Sequence, residues 1–346
     1  MVKITELSSG SFNARVYDYT DSAGKRHYKS ITCKTKRDVA KEIAVFLANR
    51  ENRQTRSADM TVGEAIDKYI DSKSNVLSPS TVREYKQTRR NALLDIMAIK
   101  LSKLTPDDVQ RAVNKESETH SPKTVRNMHG LLSSTLAVYA PEIKLSTTLP
   151  KKVKPDINIP TEEEIRRLFR EVEGSEIEIA VYLAAVCGMR RSEIAALEWS
   201  DIDLDKALLT VRSAKVLDAD NQYVKKGTKT VASKRTIRIF DPVLQVLEKI
   251  TPTDDNLLLS MKPSSITQRY GIALKRAGLP HYRFHDLRHY AVSVILSLNM
   301  PKNYIADYMG HETENMIDRV YGHIMKEAKQ SFEDRVNEYY TALFTK

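Results

Sequence analysis

The segment from Arg283 to Leu296, Arg-Phe-His-Asp-Leu-Arg-His-Tyr-Ala-Val-Ser-Val-Ile-Leu, places polar residues at helical spacing ahead of an apolar run. On a helix, His285 and Arg288 are three residues apart and lie on one face. His289 is four residues from His285, which also suits a metal site, but no Glu follows in an H-E-x-x-H arrangement and Arg288 would repel a cation. The pattern therefore predicts a helix with His285 and Arg288 on one face and His289 as a bystander.

Four further stretches in the second half of the chain carry polar residues suited to phosphate chemistry. In order, they are Gly188-Met-Arg190-Arg-Ser-Glu193, the basic segment Lys225–Arg238, Gly310-His311 and Tyr321. Taken singly, each has an ordinary interpretation, such as a surface pair at i,i+3 for Arg190 and Glu193 or a solvated hairpin for Lys225–Arg238. Together with His285-Asp-Leu-Arg288, they resemble the tyrosine recombinase (phage integrase) family. The family pattern is an Arg followed three residues later by Glu, a hairpin Lys, His-x-x-Arg, Gly-His and a Tyr nucleophile.

The resemblance implies how a phosphate would be held. Arg190 would grip a non-bridging oxygen with its guanidinium fixed by Glu193, a fork geometry that Lys does not offer. Arg288 would supply the second positive charge, and His285 and His311 would donate hydrogen bonds. These residues would stabilise the charge of the pentavalent transition state.

The resemblance also implies the groups that make and break bonds. Tyr321, ten residues beyond His311, would be the nucleophile and form a 3′-phosphotyrosine. The family's hairpin lysine, which protonates the leaving 5′-oxygen, aligns with Lys229, and Lys226 is the alternative because hairpin loops vary in length. Arg238 is a departure from the family pattern, since the strand often has Pro there.

The charge of the chain is unevenly distributed. The net charge is +10 over 346 residues. Residues 1–56 carry 12 Lys or Arg against 6 Asp or Glu, residues 57–154 carry 16 against 11, and residues 155–346 carry 27 against 28. The basic excess thus lies in the first 154 residues, which indicates a polyanionic partner for that part of the chain.

The pattern along the chain predicts three domains. In residues 1–56, alternating segments at 12–19 and 27–32 around a turn at 21–24 predict a hairpin, followed by a helix capped by Thr35 that ends near Asn49 before a polar linker at 51–56. Residues 57–154 contain helix starts at Thr61, Ser78, Thr105 and Ser121, with the second helix running to Met97. Residues 155–346 begin with a capped helix at Thr161 and include strands at 207–212 and 235–240.

The predicted fold class is a multidomain protein, mainly α with small β-sheets. By resemblance, residues 1–56 are an arm-type DNA-binding module of a small sheet plus a helix, as in many phage and conjugative-element integrases. Residues 57–154 resemble the helical-bundle core-binding domain, and residues 155–346 the mixed α/β catalytic domain.

The predicted function is site-specific DNA recombination that integrates or excises a mobile element. The resemblance implies double-stranded DNA with core and arm-type sites as the partner, a tetramer on DNA, and an excisionase or DNA-bending helper. It implies no cofactor, metal ion or ATP, since the covalent link to Tyr321 conserves the energy of the broken bond. The tail carries an apolar stripe at helical spacing, formed by Ala328, Phe332, Val336, Tyr339 or Tyr340, and Leu343. It packs either on its own domain or, as the resemblance implies, on a neighbouring protomer.

Location and alternatives also follow from the sequence. The start of the chain has no secretory signal and no apolar run reaches about 20 residues, so the cytoplasm is expected. Cys33 and Cys187 are far apart in sequence, as expected for a reducing compartment. A type IB topoisomerase-like enzyme would share the nucleophile chemistry, although the separate basic module argues against it. An inactive DNA-binding protein would not require all six catalytic positions to be filled, as they are here by Arg190, Lys229, His285, Arg288, His311 and Tyr321.

Overall fold

A computed structural model shows two compact units, residues 1–154 and residues 155–346. It describes residues 2–20, 26–58, 60–143, 145–153, 158–227, 234–252, 254–298 and 300–310, with only the backbone for 19–20 and 48–58. Helices dominate and the sheets are small and antiparallel, which confirms the predicted fold class. Among the described helices, none is both long and apolar enough to cross a membrane.

The first unit begins with an antiparallel sheet in the order β1 (Ile4–Glu6), β2 (Phe12–Thr20) and β3 (Arg26–Cys33). Strands β2 and β3 are the predicted hairpin, and the predicted turn at 21–24 lies outside the described residues. The sheet buries Ala14, Val16 and Ile31 on one face because side chains alternate along a strand.

Helix α1 (Lys36–Ala58) covers this buried face, with Val39 in the shared core. Thr35 caps it as predicted, since its hydroxyl accepts a hydrogen bond from the backbone N–H of Asp38 at 3.1 Å. The predicted end near Asn49 and the linker at 51–56 are wrong, because the helix continues to Ala58. Residues 50–58 contain neither Gly nor Pro and are mostly good helix formers, so the local sequence does not stop the helix. The predicted domain boundary after residue 56 falls inside α1.

The rest of the first unit is helical. Its helices are α2 (Val62–Lys73), α3 (Pro79–Asn91), α4 (Leu94–Met97), α5 (Pro106–Thr119) and α6 (Pro122–Tyr139). The predicted helix starts at Thr61, Ser78, Thr105 and Ser121 are confirmed, and each of these four side chains caps its helix.

The predicted continuous helix from Ser78 to Met97 is wrong. It breaks at Leu93, whose φ of 53° is left-handed and whose backbone N–H donates to Glu116 Oε1 at 2.7 Å. Burial of Ala92 and Leu93 and this long-range hydrogen bond replace the helical bonds that a continuous run would make.

The second unit surrounds one large apolar core with helices and two small sheets. Its helices are α7 (Glu162–Val172), α8 (Glu178–Ala185), α9 (Arg191–Ile194), α10 (Asp241–Leu247), α11 (Pro263–Arg276), α12 (Phe284–Ser297) and α13 (Lys302–Met309). Its strands are β4 (Ile202–Asp203), β5 (Leu208–Val211), β6 (Ser213–Leu217), β7 (Tyr223–Gly227) and β8 (Arg235–Arg238). One sheet has the order β4-β5-β8 and the other is the hairpin β6-β7. The predicted cap at Thr161 and the predicted strands β5 and β8 are confirmed.

Candidate active site

The turn between α8 and α9 carries Arg190. Gly188, with a left-handed φ of 64°, turns the chain out of the buried helix α8. The Glu193 carboxylate accepts hydrogen bonds from the backbone N–H of Arg190 at 2.9 Å and from its Nη1 at 2.7 Å. The Glu193 side chain is 4% exposed, whereas that of Arg190 is 31% exposed. One end of the pair is therefore anchored in the interior while the guanidinium reaches the surface.

A second arginine, Arg235 of β8, contacts the same carboxylate. Its Nη2 donates to Glu193 Oε2 at 3.0 Å, and the Arg235 side chain is 5% exposed. Burial would raise the pKa of Glu193, but Arg235 and then Arg190 hold it below its usual value, so the carboxylate stays ionised.

The sequence pattern does not single out Arg235, which is one of six basic residues between Lys225 and Arg238. The signal for its burial is the alternation Arg235, Ile237, Ile239, which places it on the apolar face of the strand.

Helix α12 carries His285 and Arg288, as predicted from their spacing. Arg288 is 2% exposed, and its guanidinium donates to the backbone carbonyls of Gly188 and, at 2.6 Å, of Met309. Arg190 Nη2 donates to the next carbonyl in the chain, that of Gly310, at 3.1 Å. The two arginines, from different elements, thus bind consecutive carbonyls at the end of α13.

His285 shares a cleft with Arg190. Its ring lies edge to face against that of His289, with the centroids 5.0 Å apart. Burial by the surrounding protein, followed by the electrostatic effects of His289, Arg288 and Arg190, lowers the pKa of His285 to about 4. His285 is nevertheless exposed to solvent, which screens part of this effect. With its pKa lowered, the neutral form predominates at pH 7.

The cleft itself is rich in positive charge. Its lining includes Arg190, Arg191, His281, Arg283 and His285. Arg191 donates to Thr267 Oγ1, and Arg283 is paired with Asp286 at 2.8 Å. These contacts hold basic groups around one concave surface, which suits a polyanion.

Three predicted site residues, Lys229, His311 and Tyr321, lie outside the described residues, as does the tail stripe around Phe332. Gly310, left-handed with a φ of 64°, ends α13 one residue before His311. The alternative lysine, Lys226, lies in strand β7 opposite Ala214 and is half-buried. Among the described residues, no group of His, Cys, Asp or Glu is arranged to hold a metal ion.

The guanidiniums of Arg190 and Arg288 and the imidazole of His285 are groups of the kind that bind and neutralise a phosphate. Residues 159–328 match the phage integrase family, and residues 61–117 match the N-terminal SAM-like domain of phage integrases. The chain belongs to the tyrosine recombinase (phage integrase) family and is a site-specific DNA recombinase, a kind of enzyme that needs no metal ion or ATP. The topoisomerase-like and inactive alternatives are not favoured.

Individual relatives extend over most of the chain. A tyrosine recombinase XerC-like protein of Caldanaerobacter subterraneus is 22% identical and covers 92% of this chain and 93% of its own. The Tn1549 transposon integrase, in complex with transposon right end DNA, has a TM-score of 0.69 at 17% identity and covers 80% of this chain and 100% of its own. A lambda integrase tetramer bound to a Holliday junction has a TM-score of 0.57 at 17% identity and covers 90% of this chain and 96% of its own. At these identities the structural likeness establishes the fold.

Proposed function

We propose that this recombinase cleaves DNA with Tyr321 at a phosphate held by Arg190, Arg288, His285 and His311, and thereby integrates or excises a mobile element. The observation that carries the proposal is that Arg190 and Arg288 donate to the adjacent carbonyls of Gly310 and Met309. These carbonyls directly precede His311. The three sequence motifs that contain Arg190, Arg288 and His311 are therefore linked at one point of the fold.

The chemistry requires neutralisation of the phosphate. A tyrosine phenol has an ordinary pKa of about 10 and is a poor nucleophile unless its anionic form is stabilised as it attacks. Arg190 and Arg288 supply two positive charges, and a neutral His285 supplies an N–H donor. After losing its proton, the Tyr321 phenolate attacks, forming the bond from phosphorus to the phenolic oxygen and breaking the bond to the 5′-oxygen. The released 5′-oxygen takes a proton from the ammonium group of Lys229. The 5′-hydroxyl of a partner strand then reverses the step.

The two arginines differ in the freedom they have to meet a phosphate. Arg288 is buried and donates to two backbone carbonyls, so its charge acts from a rigid, interior position. Arg190 is the more exposed of the two and lines the cleft directly. We therefore assign direct, two-pronged contact with the phosphate to Arg190, and fixed positive charge to Arg288.

A second DNA contact is proposed for residues 1–56. The face of the sheet opposite α1 carries Asn13, Arg15 and Tyr17 on β2 and Tyr28 on β3. Asn13 Nδ2 donates to the Ser30 hydroxyl at 2.8 Å, and the Arg15 guanidinium lies 5.3 Å from the centre of the Tyr28 ring. This face combines charge, amide and aromatic groups on paired strands, which the DNA major groove can admit. It supports the assignment of arm-type site binding to this module.

We also propose that the chain acts as a tetramer on DNA, with an excisionase or DNA-bending helper, in the cytoplasm. The lambda integrase tetramer on a Holliday junction supports the tetramer. Cys33 and Cys187 are free thiols, as the cytoplasm permits.

The test of the proposed function is a core-site DNA with a nick beside the cleavage point, which traps the covalent intermediate, run alongside a two-site exchange assay. The wild-type chain should form the adduct and exchange strands. Tyr321→Phe loses only a hydroxyl and should bind DNA without forming the adduct. An adduct that persists in Tyr321→Phe would contradict the assignment of the nucleophile, and an adduct without exchange would favour a topoisomerase-like activity.

A further inference from the structure

Glu193 is shared between two arginines, and each of its carboxylate oxygens accepts from both. Oε1 accepts from Arg190 Nη1 at 2.7 Å and from Arg235 Nη1 at 3.3 Å. Oε2 accepts from the Arg190 backbone N–H at 2.9 Å and from Arg235 Nη2 at 3.0 Å. Arg235 therefore contacts both oxygens through the two ends of its fork, a geometry that fixes the carboxylate in orientation as well as position.

The side chains of Arg235, Glu193 and Arg190 are in contact in that order, from the protein interior to the cleft. Arg235 and Glu193 are 5% and 4% exposed, while Arg190 is 31% exposed. A buried carboxylate needs a buried cation, because removing one member of such a pair leaves an uncompensated charge. The set of two arginines and one carboxylate keeps one formal positive charge, and its exposed member, Arg190, faces the cleft.

The backbone around Arg235 is held more firmly than the backbone around Arg190. Arg235 begins strand β8, is paired with Val211 of β5, and is followed by the buried Ile237. Arg190 precedes a helix of only four residues, α9. A strand held in a sheet and a core offers a firmer base than a single helical turn. The firm base thus lies on the Arg235 side of the shared carboxylate.

We propose that Arg235 is a positioning residue for DNA cleavage: it holds the Glu193 carboxylate, which in turn fixes the guanidinium of Arg190 against the phosphate. This proposal rests on the proposed function, in which Arg190 binds the scissile phosphate. Arg235 itself is buried and does not touch the DNA.

A purely structural ion pair and a positioning residue differ in how cleavage depends on pH. Burial raises the pKa of Glu193, and Arg235 and Arg190 are the charged groups that lower it. In Arg235→Met the carboxyl loses the stronger of these two cations, so its pKa rises and it takes up a proton at a higher pH. A protonated Glu193 holds Arg190 less firmly. As the pH falls, the cleavage rate of this variant should therefore decline earlier than that of the wild type.

The experiment measures single-turnover adduct formation on nicked core-site DNA, at saturating protein and across acid to neutral pH, with the full-length chain. The variants are Arg235→Met, Arg235→Lys, and Arg235→Met combined with Glu193→Gln. Arg212→Met is the matched control, because Arg212 forms its ion pairs with Glu198 and Asp201 of the same unit. Melting temperature and the Kd for core-site DNA are measured for each variant.

Arg235→Met should cleave about 10- to 100-fold more slowly than the wild type near neutral pH, as expected for a misplaced catalytic group, with the Kd unchanged. As the pH is lowered, the cleavage rate of Arg235→Met should begin to fall at a higher pH than that of the wild type. Adding Glu193→Gln should abolish this difference, while the effect of His285 titration on the rate remains. Arg235→Lys keeps the positive charge but loses the two-pronged guanidinium contact. The pH dependence of its cleavage rate should therefore match that of the wild type, while the rate near neutral pH stays lower. Arg212→Met should cleave at the wild-type rate.

A rate in Arg235→Met equal to that of Arg212→Met, or an acid decline that does not move, overturns the proposal. If Arg235→Met does not fold, Arg235→Lys decides, and a wild-type rate in that variant overturns it. Wild-type protein that forms no adduct, or an adduct in Tyr321→Phe, overturns the proposed function as well. An active wild type with unaffected Arg235 variants overturns the positioning role alone.

Discussion

Replacing Gly188 by Ala tests whether the turn before Arg190 and the end of α13 are packed as one piece. Gly188 has a φ of 64°, and a Cβ there would lie 2.4 Å from Met309 Sδ and 2.6 Å from Met309 Cε. Met309 is fully buried, so its thioether has little room to move. The substitution thus combines an unfavourable backbone conformation with a steric clash.

The two effects can be estimated separately. A left-handed backbone costs a residue with a Cβ about 1–2 kcal/mol relative to glycine. Forcing an extra carbon into a filled core typically costs about 1–3 kcal/mol. Gly188→Ala should therefore lower the free energy of unfolding by about 2–5 kcal/mol, which for a domain of this size lowers the melting temperature by roughly 4–20 °C.

Gly174→Ala is the matched control, since Gly174 has a φ of 70° but nothing within 4 Å of its would-be Cβ. It should show the backbone cost alone. Urea and thermal unfolding would be measured for both variants and for Gly188→Ala combined with Met309→Ala, which removes the clashing atoms. The double variant should lose less stability than the sum of the single ones. Equal losses for Gly188→Ala and Gly174→Ala, or strict additivity with Met309→Ala, would refute the reasoning.

The same substitution should slow DNA cleavage, because Gly188 and Met309 both supply carbonyls to Arg288. Adduct formation on nicked DNA, measured well below the melting temperature, separates this effect from unfolding. A wild-type cleavage rate would show that Arg288 does not depend on the packing of this turn.

Further predictions concern the groups that titrate or contact DNA. Lys229→Ala should slow cleavage far more than Lys226→Ala. A DNA substrate with a 5′-bridging sulfur, a leaving group that needs no proton, should restore the cleavage rate of Lys229→Ala. If the rate is not restored, Lys229 is not the general acid. Folding lowers the pKa of His285 from 6.5 to about 4, so between these pH values the unfolded chain binds a proton that the folded chain does not. Lowering the pH through this range should therefore reduce the melting temperature of the wild type more than that of His285→Gln. An equal reduction in the two proteins would contradict this prediction. Deletion of residues 1–56 should keep core-site cleavage but weaken binding to multi-site DNA and flatten its salt dependence, as measured by filter binding, by about 0.9 in log-log slope for each phosphate that the protein no longer neutralises. Phe332→Asp should reduce assembly on DNA and strand exchange more than thermal stability, as native gels and melts would show, and normal recombination would exclude docking of the tail on a neighbouring protomer.

The predictions that the structure confirms depend on contacts between residues close in sequence. The capping boxes at Thr61, Thr105 and Thr161 each join residues three apart, and the spacing of His285 and Arg288 requires only a helix. Strands β5 and β8 were predictable from β-branched composition. Such signals are local, so they survive without knowledge of the rest of the fold.

Two predicted helix ends are wrong. In one case a distant contact ends the helix, and in the other the sequence lacks a signal that would end it. The helix predicted to run to Met97 breaks because Leu93 bonds to Glu116 on another helix. Helix α1 continues past Asn49 because a polar composition alone does not end a helix. Only the break at Leu93 depends on a contact that its own segment does not reveal, whereas the lack of Gly and Pro at residues 50–58 is visible in the sequence.

The sequence by itself determined the family, the order of the site motifs and most of the helix starts. Only the tertiary structure decided that Arg235 is buried against Glu193, 42 residues away in the chain, and that Arg190 and Arg288 bind adjacent carbonyls at the end of α13. In sequence, Arg235 is one basic residue in a basic segment. Whether a charge lies in water or in the interior depends on the partners that surround it in space, and strand register and helix packing bring those partners together.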